Sequence, residues 1–269
     1  MRTYRFVLAA LIAVPILGGT SGVLAAPAAC AAPKAMTFQI DHRFDRDVKG
    51  FTEGLEVHNH DLYESTGALG GGTRLIRITP QGHATVLNNQ GDRYFGEGLT
   101  FLGDRLYQLT WQDHLVFVYD KDFKLIRTMQ NPHDGWGMTN DGHYLIYGDG
   151  SDHLYFVDPK DFAIKNSIQV RLGAQAVNNI NELEDVGGKI YANIWMTRNI
   201  VRINAQTGCI EAVAKLDTLW DHMTPPELGY TASDSDYVLN GIAYDPATRL
   251  FTLMGKEWPM AFVGRFQDR

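Results

Sequence analysis

The chain has 269 residues, of which 45% are hydrophobic and 20% charged, a composition typical of soluble globular proteins. Its formal net charge is −7 at pH 7, whereas proteins that bind nucleic acid usually present a basic face. The charge balance therefore argues against nucleic acid and anionic membrane surfaces as partners. A chain of this length is also normal for one closed all-β domain.

A secretory signal is predicted at the N-terminus, residues 1–33, with an approximate cleavage position. Arg2 and Arg5 precede the apolar run VLAALIAVPILGG, and small residues follow it, which is the order of regions in export signals. Cleavage sites are offered by Ala26-Pro27-Ala28 and by Ala29-Cys30-Ala31. A membrane anchor and a lipoprotein signal are the alternatives. We expect a periplasmic or secreted protein with no membrane contact after signal removal.

The two cysteines are Cys30 and Cys209. A lipoprotein signal would be cleaved at Cys30, although Pro27 stands where such signals usually have Leu. If Cys30 is removed with the signal, Cys209 is left alone and no internal disulfide forms.

The remaining chain, residues 34–269, is predicted to be a single domain built from repeats. Each repeat begins with a variable residue, then a small one, then an aliphatic one: Glu53-Gly54-Leu55, Glu97-Gly98-Leu99, Trp136-Gly137-Met138, Asn181-Glu182-Leu183 and Asn240-Gly241-Ile242. A turn rich in Gly, Asp or Asn and a second apolar strand follow each of these segments, which is a hairpin pattern. In several repeats a third strand, such as HLVFVYD, alternates apolar and polar residues.

The repeats recur at intervals of 44, 39, 45 and 59 residues. A period of about 40–45 residues with three or four strands is typical of a β-propeller blade, so the sequence predicts an all-β, five-bladed β-propeller. The N-terminal segment MTFQIDHRF can add the outer strand of the last blade and so remove an exposed edge. The long last interval contains a Pro- and Asp-rich stretch, residues 217–236, that we interpret as an inserted loop.

Equivalent positions in the blades of a propeller lie at equal radius and depth, so the repeats predict two rings at one mouth of the axis. The first ring contains the variable residues of the template: Glu53, Glu97, Trp136, Asn181 and Asn240. The second ring lies at the ends of the second strands: Gly67, Trp111, Gly150, Trp195 and Gly255, with Lys256 one step on. Polar and aromatic variation at symmetric positions is typical of a site carried by a scaffold, and the ring glycines are interpreted as opening space for it.

The two carboxylates of the first ring are candidates for acid–base chemistry. Burial near the axis would raise the pKa values of Glu53 and Glu97 towards neutrality, where a general base works best. Hydrogen bonding to strand-end amides and binding a metal are the alternative roles for either carboxylate. The nine histidines show no metal-binding spacing, so no zinc site is predicted. The template glycines, such as Gly54 and Gly98, are interpreted as packing residues.

The combination of motifs resembles the plant-type and bacterial glutaminyl cyclases. It consists of FTEGL, YFGEGLT with Trp111 fourteen residues after Glu97, GWGMT, NELE with Trp195, and LNGIAYD leading to Lys256. The resemblance covers all five repeats, although each phrase alone would be weak. Members of this family are five-bladed propellers that convert N-terminal glutamine to pyroglutamate with loss of ammonia. Plant members tend to carry Gln where this chain has Glu53.

The resemblance implies roles for the ring residues. Glu97 would be the proton shuttle, while Lys256 and Asn181 would polarise the γ-carbonyl group and bind the amide. Glu53 would either hold the α-amine or tune Glu97. Aromatic side chains would wall the pocket: Phe51, Phe95, Trp111, Trp136 and Trp195.

The resemblance also bears on cofactors and partners. It implies that catalysis requires no cofactor and that a structural divalent cation can occupy the propeller channel, as in some members, with ligands that the sequence does not place. The expected substrates are peptides or proteins with N-terminal glutamine, and we expect the enzyme to be a monomer. The loops around residues 217–238 would set specificity beyond the first substrate residue.

Two other functions compete with this interpretation. One is a calcium-dependent lactonase or esterase of propeller type, which usually has six blades and a metal on its carboxylates. The other is a periplasmic propeller that binds peptide or sugar without catalysis, since mouths lined by tryptophan suit sugars. Five repeats and three tryptophans argue against the lactonase, and a glutamate beside a lysine in a walled pocket favours catalysis over binding alone.

Overall fold

The computed structural model describes residues 29–48, 50–67, 72–222 and 237–269. The first 28 residues, which hold most of the predicted signal, and residues 223–236 of the predicted inserted loop lie outside the described residues. The beginning of that loop forms a 3-10 helix, Asp217–His222. Within the described ranges no helix is long and apolar enough to cross a membrane.

The described chain is otherwise built from β-strands arranged as antiparallel meanders. After the N-terminal strand β1 (Lys34–Asp45), three separate four-stranded sheets follow in chain order. The first contains β2 (Thr52–His58), β3 (Asp61–Thr66), β4 (Thr73–Ile78) and β5 (Ala84–Gly91). The second contains β6 (Gly96–Leu102), β7 (Arg105–Thr110), β8 (Leu115–Tyr119) and β9 (Leu125–Gln130). The third contains β10 (Met138–Asn140), β11 (Leu145–Gly148), β12 (His153–Val157) and β13 (Ile164–Gln169).

The remaining strands form a short ribbon and one large sheet. The ribbon pairs β14 (Arg171–Leu172) with β15 (Gln175–Ala176). The fourth meander contains β16 (Ile180–Asp185), β17 (Lys189–Ile194), β18 (Asn199–Asn204) and β19 (Ile210–Lys215). The last meander contains β20 (Leu239–Asp245), β21 (Leu250–Gly255) and β22 (Met260–Asp268).

Strand β1 joins the fourth and last meanders into one eight-stranded sheet. It pairs antiparallel with β22 along nearly its whole length, and its first residues, Lys34 to Met36, pair in parallel with β19. The prediction that MTFQIDHRF supplies the outer strand of the last repeat is therefore confirmed. The all-β fold with a propeller-type arrangement of sheets is confirmed as well.

The first strands of the meanders approach one another so closely that most have no room for a side chain at the second template position. A Cβ on Gly98 would lie 2.3 Å from the Met138 nitrogen, and one on Gly137 would lie 2.1 Å from the Asn181 oxygen. Contacts at these distances do not occur between real atoms, so the interpretation of these glycines as packing residues is confirmed.

The fourth repeat has Glu182 at this position instead of a glycine. The Glu182 side chain is fully buried and accepts backbone N–H hydrogen bonds from Leu55 at 3.0 Å and from Ile242 at 2.8 Å. Burial, opposed by these hydrogen bonds, raises its pKa well above the usual range. One side chain thus ties the first strands of three meanders together across the axis.

The structure contradicts the expectation of an unpaired Cys209. Cys30 and Cys209 form a disulfide, with their Cα atoms 5.5 Å apart, and the Cys30 backbone N–H also donates to the Gly173 oxygen at 3.0 Å. The folded unit therefore extends to Cys30, N-terminal to the boundary drawn at residue 34. The position of signal cleavage stays a prediction, and the disulfide favours the Ala26-Pro27-Ala28 site because that site leaves Cys30 in the chain.

Candidate active site

One cavity of about 290 Å³ brings together all nine residues predicted to form the site. Its lining consists of Phe51, Glu53, Phe95, Glu97, Trp111, Trp136, Asn181, Trp195 and Lys256. They come from the beginnings of first strands and the ends of second strands, which hairpin pairing brings to the same end of each meander. The geometric part of the prediction, two rings at one mouth, is therefore observed.

A second cavity, of about 270 Å³, lies between the first and last meanders. Apolar side chains such as Phe44, Leu62 and Ile78 dominate its lining. It does not contain the convergent buried charges of the first cavity. Since a few convergent polar groups in an apolar pocket mark a functional site, the first cavity is the candidate active site.

Glu53 and Lys256 form a buried ion pair at the cavity. Lys256 Nζ lies 2.6 Å from Glu53 Oε1, and the two side chains are only 9% and 2% exposed. The second carboxylate oxygen of Glu53 accepts a hydrogen bond from Asn240 Nδ2 at 3.0 Å. Burial raises the pKa of Glu53 to about 6, and the charge and hydrogen bond of Lys256 oppose a larger rise.

Glu97 is buried at the same cavity but has no such partner. It is 6% exposed and accepts no hydrogen bond and forms no ion pair within the described part of the chain. Its pKa is raised well above the usual range, chiefly by burial and next by the charge of Glu53. Lys256 opposes this rise and Asp134 adds to it. A carboxyl group with a raised pKa and no partner in the described chain is available to exchange a proton with a bound ligand.

Asn181 offers an unpaired amide to the cavity. The residue is 3% exposed, and its Oδ1 atom is buried without a hydrogen-bond partner among the described residues. Buried polar atoms are nearly always hydrogen-bonded in folded proteins. An unpaired acceptor on a residue that lines the cavity is a candidate partner for a donor of a bound ligand.

Aromatic rings build the walls in two contact groups. On one side, Phe95 lies between Phe51 and Trp111, with ring centroids 6.1 Å and 5.6 Å away. On the other side, Trp136 and Trp195 meet edge to face at 5.6 Å. The ammonium group of Lys256 lies 4.5 Å from the centroid of Phe51, a cation–π contact that helps to hold it in an apolar pocket.

The glycines of the second ring do not open space for a ligand as predicted. A Cβ on Gly67 would lie 2.4 Å from the ring of Phe95, and one on Gly150 would lie 2.5 Å from the ring of Trp136. The space beside Gly255 is likewise occupied by the ring of Trp258. These glycines instead make room for aromatic side chains, two of which wall the cavity.

Backbone register also corrects the fifth member of the second ring. The N–H groups of Trp111 and Trp195 donate to the carbonyl oxygens two residues before the first-ring residue of their own repeat, at 2.9 Å and 2.8 Å. In the last repeat, the N–H that makes this bond, to Val238 at 3.0 Å, belongs to Lys256. Lys256 rather than Gly255 is therefore the ring residue. It lies sixteen residues after Asn240, whereas Trp111 and Trp195 lie fourteen residues after their first-ring residues, because the hairpin of the last repeat is two residues longer.

Sequence reasoning missed two contributors to the site. Asn240 was placed in the first ring without a role, and the structure shows it orienting Glu53 rather than lining the cavity. Asp134 was not singled out because it lies outside the repeat template, although its charge acts on Glu97. The signal for Asn240 was its ring position, whereas the sequence gives no comparable signal for Asp134.

A propeller-type scaffold that holds an unpaired carboxyl group, a lysine and an amide inside aromatic walls defines an enzyme with an acid–base site. A sequence model of the family described as "Glutamine cyclotransferase" matches residues 12–266. The chain is 33% identical over 222 residues to the glutaminyl-peptide cyclotransferase of Arabidopsis thaliana, covering 81% of this chain and 68% of that one. It also resembles the crystal structure of the Myxococcus xanthus glutaminyl cyclase, with 32% identity and a TM-score of 0.76 over 88% of this chain and 99% of that one.

The chain therefore belongs to the glutamine cyclotransferase family. These matches support neither a lactonase nor a binding protein without catalysis.

Proposed function

We propose that the protein converts the N-terminal glutamine of peptides or proteins to pyroglutamate, with Glu97 as the catalytic base and acid. The observation that carries this proposal is the unpaired, buried carboxyl group of Glu97, which faces the same cavity as Lys256 and Asn181. A carboxyl group paired to a cation would already have its proton-accepting oxygen engaged.

The reaction needs one proton to move between two nitrogen atoms of the same substrate. The neutral α-amine attacks the γ-carboxamide carbon, so that a C–N bond forms and a tetrahedral oxyanion develops. Glu97 takes a proton from the attacking nitrogen and returns it to the departing one. The bond to that nitrogen then breaks, ammonia leaves and the ring lactam remains. A base with a pKa raised towards neutrality suits both transfers.

Lys256 is proposed to stabilise the developing oxyanion, and Asn181 to bind the substrate amide. One Lys256 N–H is used by Glu53, and an ammonium group has two further donors. The amide of Asn181 has an unpaired oxygen and can bind the substrate amide. Donors fixed before the reaction stabilise transition-state charge strongly in a site that excludes water. Glu53 therefore holds Lys256 and, through its charge, tunes Glu97.

The aromatic walls are proposed to curl the glutamine side chain and to exclude water. Fixing the amine against its own carboxamide converts flexibility into proximity. Excluding water also protects the carboxamide from hydrolysis to glutamate. The wall groups formed by Phe51, Phe95 and Trp111 and by Trp136 and Trp195 surround the polar residues.

No step of this mechanism uses a metal ion. A structural cation in the channel was expected from the resemblance, but both carboxylate oxygens of Glu182 are taken by backbone amides. The described residues also contain no group of three or more His, Cys, Asp or Glu side chains that could hold a metal ion. A structural cation in the channel therefore stays a prediction from the resemblance.

We further propose that the meanders form a closed ring of five blades. Five apolar clusters support this, since each is shared between two neighbouring meanders and together they run once around the molecule. The fifth cluster joins the last meander, through Ala243 and Met254, to the first meander through Leu55 and Ile76.

Export to the periplasm or the exterior is proposed from the disulfide as well as from the predicted signal. Disulfides persist in oxidising compartments and are rare in the cytosol. A Cys30 sulfur bonded to Cys209 cannot also carry a lipid thioether, which argues against lipidation. The monomeric state stays a prediction that light scattering can check.

The experiment that tests the function is ammonia release from a peptide with N-terminal glutamine. Wild type, Glu97→Gln and an EDTA-treated sample are compared, and pyroglutamate is identified by mass spectrometry. We expect release by the wild type, with and without EDTA, and a loss of about 100-fold or more in Glu97→Gln. No release by a folded wild type would contradict the proposed activity, and full activity of Glu97→Gln would contradict the assigned base.

A further inference from the structure

A second buried ion pair lies behind the active site. Arg46, which follows β1, places its Nη2 atom 2.5 Å from Glu64 Oε2 in β3, and both side chains are 0% exposed. Arg46 Nη1 also donates to the Trp258 carbonyl oxygen at 3.2 Å. Neither side chain lines the catalytic cavity. The pair thus joins the closing strand, the first meander and the segment after β21.

Short links connect this pair to both members of the Glu53–Lys256 pair. The hydroxyl group of Thr52, the residue before Glu53, donates to Glu64 Oε1 at 2.6 Å. The same hydroxyl lies 3.2 Å from the carbonyl oxygen of Gly255, the residue before Lys256. The carbonyl that Arg46 holds belongs to Trp258, two residues after Lys256. Arg46 and Glu64 therefore fix the backbone on both sides of Lys256 and directly before Glu53.

The position of Glu64 in the repeat shows that the fold does not require a charge there. Glu64 pairs with Leu55, the aliphatic residue of its template. The residues at this register position in the other meanders are uncharged: Gln108, Tyr147, Ala192 and Leu253. Burying two charges is often no more stabilising than packing apolar side chains of the same volume. Stability alone therefore does not account for the pair.

We propose that Arg46 and Glu64 are positioning residues for the reaction, which hold Glu53 and Lys256 in the geometry that the reaction requires. Neither touches the substrate. Arg46 sets the segment 255–258 through the Trp258 carbonyl, and Glu64 sets Thr52 and with it the start of β2. The same contacts make the seating of β1 a condition for an assembled active site. This proposal assumes the cyclase activity proposed above.

The double variant Arg46→Met/Glu64→Leu tests the proposal. It removes both charges and leaves neither one buried alone, so that it is expected to fold with a melting temperature near that of the wild type. Displacing catalytic groups by about 1 Å can cost about 100-fold in rate. We therefore expect kcat to fall 10- to 100-fold with a much smaller change in KM, because the displaced donors act on the transition state.

The pH profile separates positioning from a merely structural role. The groups whose charges act on Glu97 are Glu53, Lys256 and Asp134. If Lys256 is held less firmly, it lowers the pKa of Glu97 less, while Glu53 and Asp134 still raise that pKa. The acid limb of the kcat/KM profile should then move to higher pH in the double variant.

The control is Arg202→Met/Asp268→Leu, which removes a bidentate ion pair of 2.7 Å and 2.9 Å between outer strands. It should keep the wild-type kcat and pH profile even if it lowers the melting temperature. A folded Arg46→Met/Glu64→Leu protein with wild-type kcat and profile would overturn the proposal.

A second pair of variants keeps the test decisive if the double variant does not fold. Thr52→Val keeps the shape of the side chain and removes the hydroxyl link, whereas Thr52→Ser keeps the link. We expect Thr52→Val to lose at least 10-fold in kcat and Thr52→Ser to stay close to the wild type. Equal kcat values for the two variants would also overturn the proposal. Wild-type protein inactive on every glutaminyl peptide would instead overturn the function on which the proposal rests.

Discussion

Lys256 Nζ lies 2.6 Å from Glu53 Oε1, with both side chains nearly fully buried, so the lysine that faces the cavity is already paired with a carboxylate. The remaining carboxyl group, Glu97, has no cation of its own and feels the charge of Glu53 directly. Two acids at equivalent repeat positions thus have different environments. Glu53 is the partner of a lysine that limits the rise of its pKa to about 6, whereas Glu97 is unpaired and its pKa lies well above the usual range. Environments that separate the pKa values of two acids are a common basis for assigning catalytic roles.

Replacing Glu53 by Gln should move the acid limb of kcat/KM to lower pH. The negative charge of Glu53 raises the pKa of Glu97, and Lys256 lowers it. Removing the Glu53 charge and keeping the Lys256 charge both favour the ionised form of Glu97, so its pKa should fall. The pH dependence of kcat/KM for wild type and variant, measured on one glutaminyl peptide, checks this. An acid limb that stays in place or moves to higher pH would contradict the assigned coupling.

Replacing Gly67 by Ala should displace the ring of Phe95 and lower catalytic efficiency. The new Cβ would lie 2.4 Å from that ring, which also contacts Phe51 and Trp111. We expect kcat/KM to fall about 10-fold or more. The control Gly103→Ala adds a Cβ with nothing within 4 Å and should affect only stability. Wild-type kinetics in Gly67→Ala would show that the position of Phe95 is unimportant.

Removing the disulfide should lower stability without lowering the activity of the folded enzyme. Cys30 and Cys209 are separated by 179 residues, and a disulfide that closes a long loop contributes about 2–5 kcal/mol. The double variant Cys30→Ser/Cys209→Ser should lose an amount of this order in denaturant unfolding, and reduced wild type should lose the same. An unchanged unfolding free energy would show that the bond does not constrain the unfolded chain.

The unfolding free energy should fall as the pH rises from about 5 to about 8.5. Burial raises the pKa of Glu56 from 4.5 to about 8. The folded state therefore keeps its proton to a higher pH than the unfolded state. The contribution of Glu56 to the unfolding free energy is fully present below about pH 4.5 and is lost as the pH rises through about 8.

The variant Glu56→Gln should reduce this pH dependence by more than about 1 kcal/mol, because a pKa change of one corresponds to about 1.4 kcal/mol. Urea unfolding at both pH values measures the difference, with Asp122→Asn on an exposed turn as the control. A pH dependence that is the same in Glu56→Gln as in the wild type would contradict the role given to this acid.

The repeat template predicted most of the fold and the composition of the cavity. Five copies of one short pattern place Glu97 and Asn181 at equivalent depth. Hairpin pairing then brings the ends of the second strands to the same end of each meander. What the template missed follows from interactions between repeats. Cys30 and Cys209 meet because the start of β1 pairs in parallel with β19, the strand that directly follows Cys209. The effect of the Asp134 charge on Glu97 and the packing of the Phe95 ring against Gly67 likewise depend on how neighbouring sheets pack.

The pairing of β1 with β22 has a consequence for biosynthesis. The first strand of the domain finds its partner only in β22, which is synthesised after all the other described strands, so the meanders between them can form in order while the sheet that unites β1 with β22 has to wait. Contacts between residues so far apart in sequence form slowly. The contact of Arg46 with the Trp258 carbonyl therefore forms only after β22 has been synthesised. A fold whose closure comes this late suits the export proposed above, because an unclosed chain is easier to thread across a membrane.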